Sequence, residues 1–309
     1  MKLLLTGASG FIGRNVLLRA PREWQIVAVY YRTTDLPAFV REHRLPHVEP
    51  IACDLSSAAA VDALAARAGR CDAVLYLAAN GDPAASAERP RWDLELNAAA
   101  LVNFLERQPA DRLVFVSSGA VYDGLRGEVT PATPVSPLLP YAISKLASER
   151  YVTFFAERRR VLASYANIRF FGAYGPYEAP RKITTRWLKA IIAGAREFTV
   201  RGDGQNLIDF MYVDDAVDAM LRVVTDATFS GTVDLASGAP VTVNAVVAAM
   251  AQAAGVDIAV RHEGRVEEYI EFRSADDTMR RRFGFTPSVS FEDGIRRLHR
   301  FFVNEPARA

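Results

Sequence analysis

Three residues in the middle of the sequence have the types and spacing of a proton-transfer site. Tyr141 and Lys145 open a helical pattern as Tyr141-Ala142-Ile143-Ser144-Lys145, and a spacing of four stacks them on one helical face. An ammonium beside a phenol favours the phenolate. The spacing therefore predicts a Tyr141 pKa below its ordinary value, and a tyrosine that trades a proton with an alcohol or carbonyl. Ser118 lies upstream in Val116-Ser117-Ser118-Gly119-Ala120-Val121-Tyr122, where a strand runs into a loop. A hydroxyl there can hold a substrate oxygen beside the tyrosine. Taken alone, a Tyr-x-x-x-Lys pair is also what an ordinary helix surface carries, so its surroundings decide.

Those surroundings begin near Met1. Leu3-Leu4-Leu5 leads into Thr6-Gly7-Ala8-Ser9-Gly10-Phe11-Ile12-Gly13, a strand that meets a helix through a glycine-rich turn. One glycine allows the turn, another lets backbone approach a pyrophosphate, and a third lets helix pack close to strand. The helix N-terminus adds unpaired N–H groups. Gly7, Gly10, Phe11, Ile12 and Gly13 are read as dinucleotide-binding.

The second strand bears on which dinucleotide. NAD sites usually place a carboxylate there for the ribose 2′-hydroxyl, but this chain reads Tyr30-Tyr31-Arg32-Thr33-Thr34, with no acid before Asp35. Arg32 can meet a 2′-phosphate, which favours NADP over NAD; an ordinary surface arginine explains it as well. Asp54 and Leu55 follow the third strand, where the carboxylate can accept from an adenine amino group or cap a helix. Ala78 and Ala79 end the fourth, where small side chains let a cofactor lie against backbone, or simply pack.

The elements that position these groups alternate. Strands are predicted at Lys2–Thr6, Gln25–Tyr31, Val48–Cys53, Ala73–Ala78, Leu113–Ser117 and Ala163–Phe170, with helical spacing over 11–19, 57–68, 92–107 and 142–159. Pro90 and Pro140 suit helix starts, Ser56 suits a cap for the helix ending before Gly69, and Arg158–Arg160 suits a helix C-terminus. This rhythm predicts an α/β fold: a Rossmann-type, doubly wound parallel sheet over 1–170. A smaller α/β substrate-binding part follows over 171–309, with some segments returning to the sheet.

These residues carry a resemblance. The sequence resembles the extended short-chain dehydrogenase/reductases, specifically the NAD(P)-dependent sugar epimerase/dehydratase family. It does so at Thr6–Gly13, Asp54-Leu55, Leu77-Ala78-Ala79, Asn97, Ser117-Ser118 through Tyr122, Tyr141–Lys145, and Arg169 through Tyr174-Gly175-Pro176. Gly202-Asp203-Gly204, Asp209–Asp215 and the tail Phe283–Pro287 with Phe291–Gly294 continue it. The resemblance implies Tyr141 as general acid/base, Lys145 on the nicotinamide ribose, Ser118 on the reacting oxygen, and Asn97 supporting the lysine through water. It implies hydride transfer at a sugar carbon, usually C4, and a homodimer through helices 94–107 and 142–157.

Departures from the family narrow the reaction. Sugar-nucleotide 4,6-dehydratases carry an Asp-Glu pair where this chain has Gly119 and Ala120, and the fucose-synthase branch has a cysteine at the place of Ala120. An arginine that commonly grips the substrate diphosphate is replaced by Ile208. Other cations can serve (Arg181, Lys182, Arg186 or Arg265), or the substrate is not a nucleotide sugar. Asn80 and Gly172 are further candidate substrate contacts. The expected function is an NAD(P)-dependent oxidoreductase/epimerase that transfers hydride at a carbinol or ketone carbon, C4 first, of a sugar or nucleotide sugar. An NADPH-dependent 4-ketoreductase and a non-catalytic dinucleotide sensor are the alternatives.

Composition sets outer limits. The 309 residues are 50% hydrophobic and 24% charged with a net charge of +1, so no global field attracts nucleic acid or an anionic membrane. His43, His47, His262 and His299 are scattered, and Cys53 and Cys71 suit small core hydrophobes; no metal site is expected. No apolar run reaches membrane-spanning length, and no signal-peptide pattern follows Met1; a cytoplasmic location is expected.

Overall fold

The computed structural model describes residues 1–266 and 271–304. Seven strands form its main sheet: β1 (Lys2–Thr6), β2 (Gln25–Tyr30), β3 (Val48–Ala52), β4 (Cys71–Tyr76), β5 (Ala110–Ser118), β6 (Ser164–Phe170) and β7 (Gly231–Leu235). Their spatial order is β3-β2-β1-β4-β5-β6-β7, every neighbour parallel. Parallel strands are covered on both faces, which is why they read as apolar runs rather than alternations. The chain builds outward one way from β1 and the other way from β4. That reversal opens a crevice at their C-terminal ends, the usual ligand site of such sheets.

One face of the sheet is covered by α1 (Phe11–Arg19), α2 (Leu36–Glu42) and α9 (Val213–Thr225). Val16, Leu17, Val217 and Met220 there close over Leu3, Leu5, Ile168 and Val233. On the other face α3 (Ala58–Ala68), α6 (Ala100–Leu105) and α7 (Pro140–Glu157) bring Leu64, Phe104, Val152 and Phe155 onto Leu4, Val74 and Phe115. Between α3 and α6 lie α4 (Pro83–Glu88) and α5 (Pro90–Leu94). Helices α8 (Ile183–Ile192), α10 (Val243–Ala254) and α12 (Phe291–Asn304), separated in the chain by α9 and the short α11 (Thr278–Phe283), surround a third apolar cluster that includes Tyr174, Leu188, Met250 and Leu298.

Three local expectations are corrected. The pattern over 92–107 is not one α-helix: Glu95–Ala99 forms a π-helical turn between α5 and α6. Ser57, not Ser56, caps α3 by accepting from Ala60 N, because Ser56 is held by the Asp54 carboxylate. The arginines 158–160 begin where α7 ends, so only their first member stands at the cap. Cys53 and Cys71 are free and buried, and burial pushes the Cys53 thiol up to about 11. Among the described residues no helix is long and apolar enough to cross a membrane.

Candidate active site

The glycine turn is shaped by backbone. Gly7 has φ +67°, and a Cβ there would meet Ala78 N at 3.0 Å; one on Gly13 would come within 2.3 Å of Gly7 O. Thr6 Oγ1 accepts from Leu77 N (3.0 Å) and Ala78 N (3.1 Å), pinning β1 to the end of β4. Gly10 precedes α1 and supplies no side-chain acceptor, so the first-turn N–H groups remain available to an anion. Phe11 and Ile12 are half-buried and pack against the apolar layer beneath.

A cavity of about 410 Å³ opens over the crevice. It gathers eight of the expected residues: Gly7, Gly10, Arg32, Asp54, Leu55, Ala78, Ala79 and Asn80. Tyr76, Trp92, Leu96 and Ala100 also line it, which periodicity alone marked only as helix or strand. Burial works against the Asp54 carboxylate, but the Ser56 hydroxyl and amide and the Tyr31 phenol hold it below its usual range. Arg32 is exposed, its guanidinium 5.5 Å from the Tyr31 ring centre. Asp35, the first acid after β2, is paired with Arg14 at 2.5 Å. These features fit the adenosine and phosphate half of a dinucleotide.

Ser118, Tyr141 and Lys145 meet where β5 ends against the start of α7. Pro140 begins α7, and Tyr141 N donates to Ser86 Oγ of α4 at 3.1 Å. Ser118 closes β5, and its Oγ accepts from Ala120 N at 3.1 Å. Lys145 is 4% exposed; its Nζ donates to Val116 O at 2.9 Å and lies 5.9 Å from the Tyr141 ring centre. Burial pulls the Lys145 ammonium down to about 8, against the Asp93 and Glu149 carboxylates. The Tyr141 phenol is not depressed as the spacing predicts. Burial raises it and the Asp93 charge adds to that, while Ser118 pulls the other way. The helical stacking holds, but desolvation outweighs the Ser118 hydrogen bond that favours the phenolate.

Asn97 sits in the π-helical turn, the kind of local widening found at functional positions. Its side-chain amide donates to Asp93 Oδ1 (2.8 Å) and its Oδ1 accepts from Asn80 N (2.7 Å), while Ser148 Oγ donates to its carbonyl. Asn80 is equally committed: its amide donates to Asp93 Oδ1 and Asp82 O, and its Oδ1 accepts from Asp82 N. Asp93, with no share in the motifs above, therefore organises both asparagines. The signal that marks it is its place one turn before Asn97.

Of the expected substrate contacts, Gly172 has φ +143° against Phe210. Ile208 pairs with Val241 on a short strand and packs into the third apolar cluster. Lys182 precedes α8, Arg186 lies in its first turns, and Arg265 follows the Ala259–Glu263 strand; all three are exposed. Arg181 is bound instead to Asp82 at 3.0 Å. Among the described residues no His/Cys/Asp/Glu group of three or more is arranged to hold a metal ion.

A doubly wound sheet, a glycine turn at its switch point and a Ser/Tyr/Lys set where β5 meets α7 define an enzyme of the extended short-chain dehydrogenase/reductase type. Residues 3–234 match the NAD dependent epimerase/dehydratase family, and the chain belongs to it. It is 31% identical over 241 residues to a dTDP-glucose 4,6-dehydratase of Mycolicibacterium smegmatis, covering 75% of this chain and 71% of the relative. A UDP-glucose 4-epimerase of the same organism is 27% identical over 322 residues, covering 99% of each. Among solved structures, MoeE5 in complex with UDP-glucose and NAD superimposes with a TM-score of 0.83 at 28% identity, covering 98% of this chain and 99% of that one.

Proposed function

We propose that this chain is a 4-epimerase of a nucleotide sugar, transferring hydride to and from C4 of the hexose. The observation that carries the reading is the meeting of Ser118, Tyr141 and Lys145 where β5 ends against the start of α7. A bound nicotinamide dinucleotide supplies the hydride acceptor and donor. Tyr141 takes the proton of the C4 hydroxyl and returns it to the same oxygen. Lys145 holds positive charge beneath the phenol and contacts the nicotinamide ribose, while Ser118 orients the reacting oxygen. Gly7, Gly10, Phe11, Ile12 and Gly13 form the pyrophosphate end, with Arg32, Asp54 and Leu55 at the adenosine. Lys182, Arg186 and Arg265 are the cations available to the substrate diphosphate in place of Ile208.

Water elimination needs a further acid and base, and Gly119 and Ala120 provide none. A Cβ at Gly119 would already meet the Phe171 ring at 3.0 Å, which supports an epimerase rather than a dehydratase reading. A second reading, an NADPH-dependent 4-ketoreductase, is favoured by Arg32 at the cavity mouth and the pairing of Asp35 with Arg14.

Two incubations followed by proton NMR test them, UDP-glucose with catalytic cofactor and a 4-keto nucleotide sugar with stoichiometric NADPH. An epimerase interconverts the C4 epimers with no net cofactor turnover, whereas a reductase consumes NADPH and a 4-keto sugar one for one. Undiminished turnover by Tyr141→Phe would remove Tyr141 as the acid/base of both readings, and cofactor binding with no turnover of either substrate would leave the dinucleotide sensor.

The assembly consistent with this reading is a homodimer. Leu94, Ile143, Tyr151 and Phe154 are large apolar side chains left exposed on α5 and α7, the surface a second copy would cover. Light scattering on Phe154→Asp tests it, and an unchanged mass relative to the native chain contradicts it.

A further inference from the structure

Asp93 is 0% exposed and, among the described residues, forms no ion pair. Its Oδ1 accepts from Asn80 Nδ2 (2.7 Å) and Asn97 Nδ2 (2.8 Å), whereas Oδ2, also buried, has no hydrogen-bond partner. α5, which carries it, packs against α7, and its charge acts on both Tyr141 and Lys145. The other charged groups around the pair are already matched. Glu149, one turn beyond Lys145, is bound by Arg169 at 2.9 Å and by Ser117. Arg169 also donates to Tyr122, whose hydroxyl donates to Asp234. Arg91 and Glu95 pair with each other at the surface, and Arg89 lies over Trp92.

A buried ammonium and a buried carboxylate are each costly alone and tolerable only as counter-charges. Lys145 donates to the Val116 carbonyl, and the orphaned Oδ2 is the unmatched acceptor nearest in chemistry. We propose that Asp93 is a positioning residue: its ionised carboxylate fixes the Asn80 and Asn97 amides and is the counter-charge of the buried Lys145 ammonium. This rests on the roles given above to Tyr141 and Lys145, and extends them to a residue that touches neither substrate nor cofactor.

A thermal double-mutant cycle at pH 7 tests it without reference to activity. Melting temperatures are compared for the full chain, Asp93→Asn, Lys145→Met and the double variant. The amide keeps the size of the carboxylate and an acceptor oxygen, so it removes chiefly charge. If Asp93 balances Lys145, Asp93→Asn lowers the melting temperature markedly in the native background and little in the Lys145→Met background. Equal losses in both backgrounds, or failure to fold in both, would show a purely structural carboxylate and overturn the proposal; folding only with Lys145→Met supports it. In the active enzyme, Asp93→Asn shifts the alkaline limb of kcat/KM to lower pH by about one unit, since the ammonium loses its proton earlier. An unmoved limb with lower kcat contradicts the counter-charge. Should Tyr141→Phe prove fully active, the catalytic reading fails while the melting cycle still decides the pairing.

Discussion

Gly13 stands so close to Gly7 that a single added methyl on it would lie 2.3 Å from the Gly7 carbonyl and 2.7 Å from Ala8 Cα. Both contacts are with backbone, which cannot swing aside. Gly13→Ala should therefore lower stability by roughly 1–3 kcal/mol and weaken dinucleotide binding at least about tenfold, as the turn is pushed off the phosphate. At Gly81 a Cβ meets nothing within 4 Å, and Gly81→Ala should stay within about 0.5 kcal/mol of the native chain. Calorimetric cofactor titration and thermal melts check both; equal effects at the two glycines would contradict the packing argument.

Much of this arrangement was legible in the sequence, for physical reasons. Strands buried on both faces give unbroken apolar runs, and the glycine turn sits where only glycine fits, so sheet and turn could be read directly. Helix α2 was missed because its seven residues are too few for a periodic signal. The π-helical turn was missed because widening by one residue leaves composition untouched. The raised Tyr141 and the buried Asp93 arise from desolvation, a property of tertiary packing that spacing along a chain does not encode.

Arg32 bears on cofactor choice. If the cavity lined by Arg32 takes the adenosine as proposed, its guanidinium should recognise a 2′-phosphate by charge and hydrogen bonding. Arg32→Ala is expected to weaken NADP binding about tenfold, roughly 1.4 kcal/mol, while NAD binding changes little. Calorimetry with both cofactors measures this, and equal losses for the two would remove Arg32 from the 2′-position.

Lys145 sets a pH limit. Burial first, offset in part by two carboxylates, places its ammonium at about 8, so the free enzyme loses that charge as pH rises through about 8. A fall in kcat/KM on the alkaline side of that value is expected. A profile that stays level to pH 9.5 would show that the ammonium is not needed.

Asp234 titrates in the opposite sense to an ordinary paired acid. Burial raises its carboxyl to about 6 despite hydrogen bonds from Ser274 and Tyr122. The folded chain then holds this proton more tightly than the unfolded one. Its contribution to stability is complete below the ordinary value of 3.8 and is lost as pH rises through about 6. Urea unfolding should show the native chain losing stability relative to Asp234→Asn between those values. Parallel curves would rule this out.

The last strand of the sheet, β7, is also the last to be synthesised, long after β6 beside which it lies. Until Leu235 leaves the ribosome, β6 presents an open parallel edge whose Ala166 and Ile168 are fully buried in the finished protein. Such edges invite pairing with other chains, and distant parallel pairings form slowly. A nascent chain stalled before residue 231 would therefore need shielding, and the sheet as a whole is a late event in the life of this polypeptide.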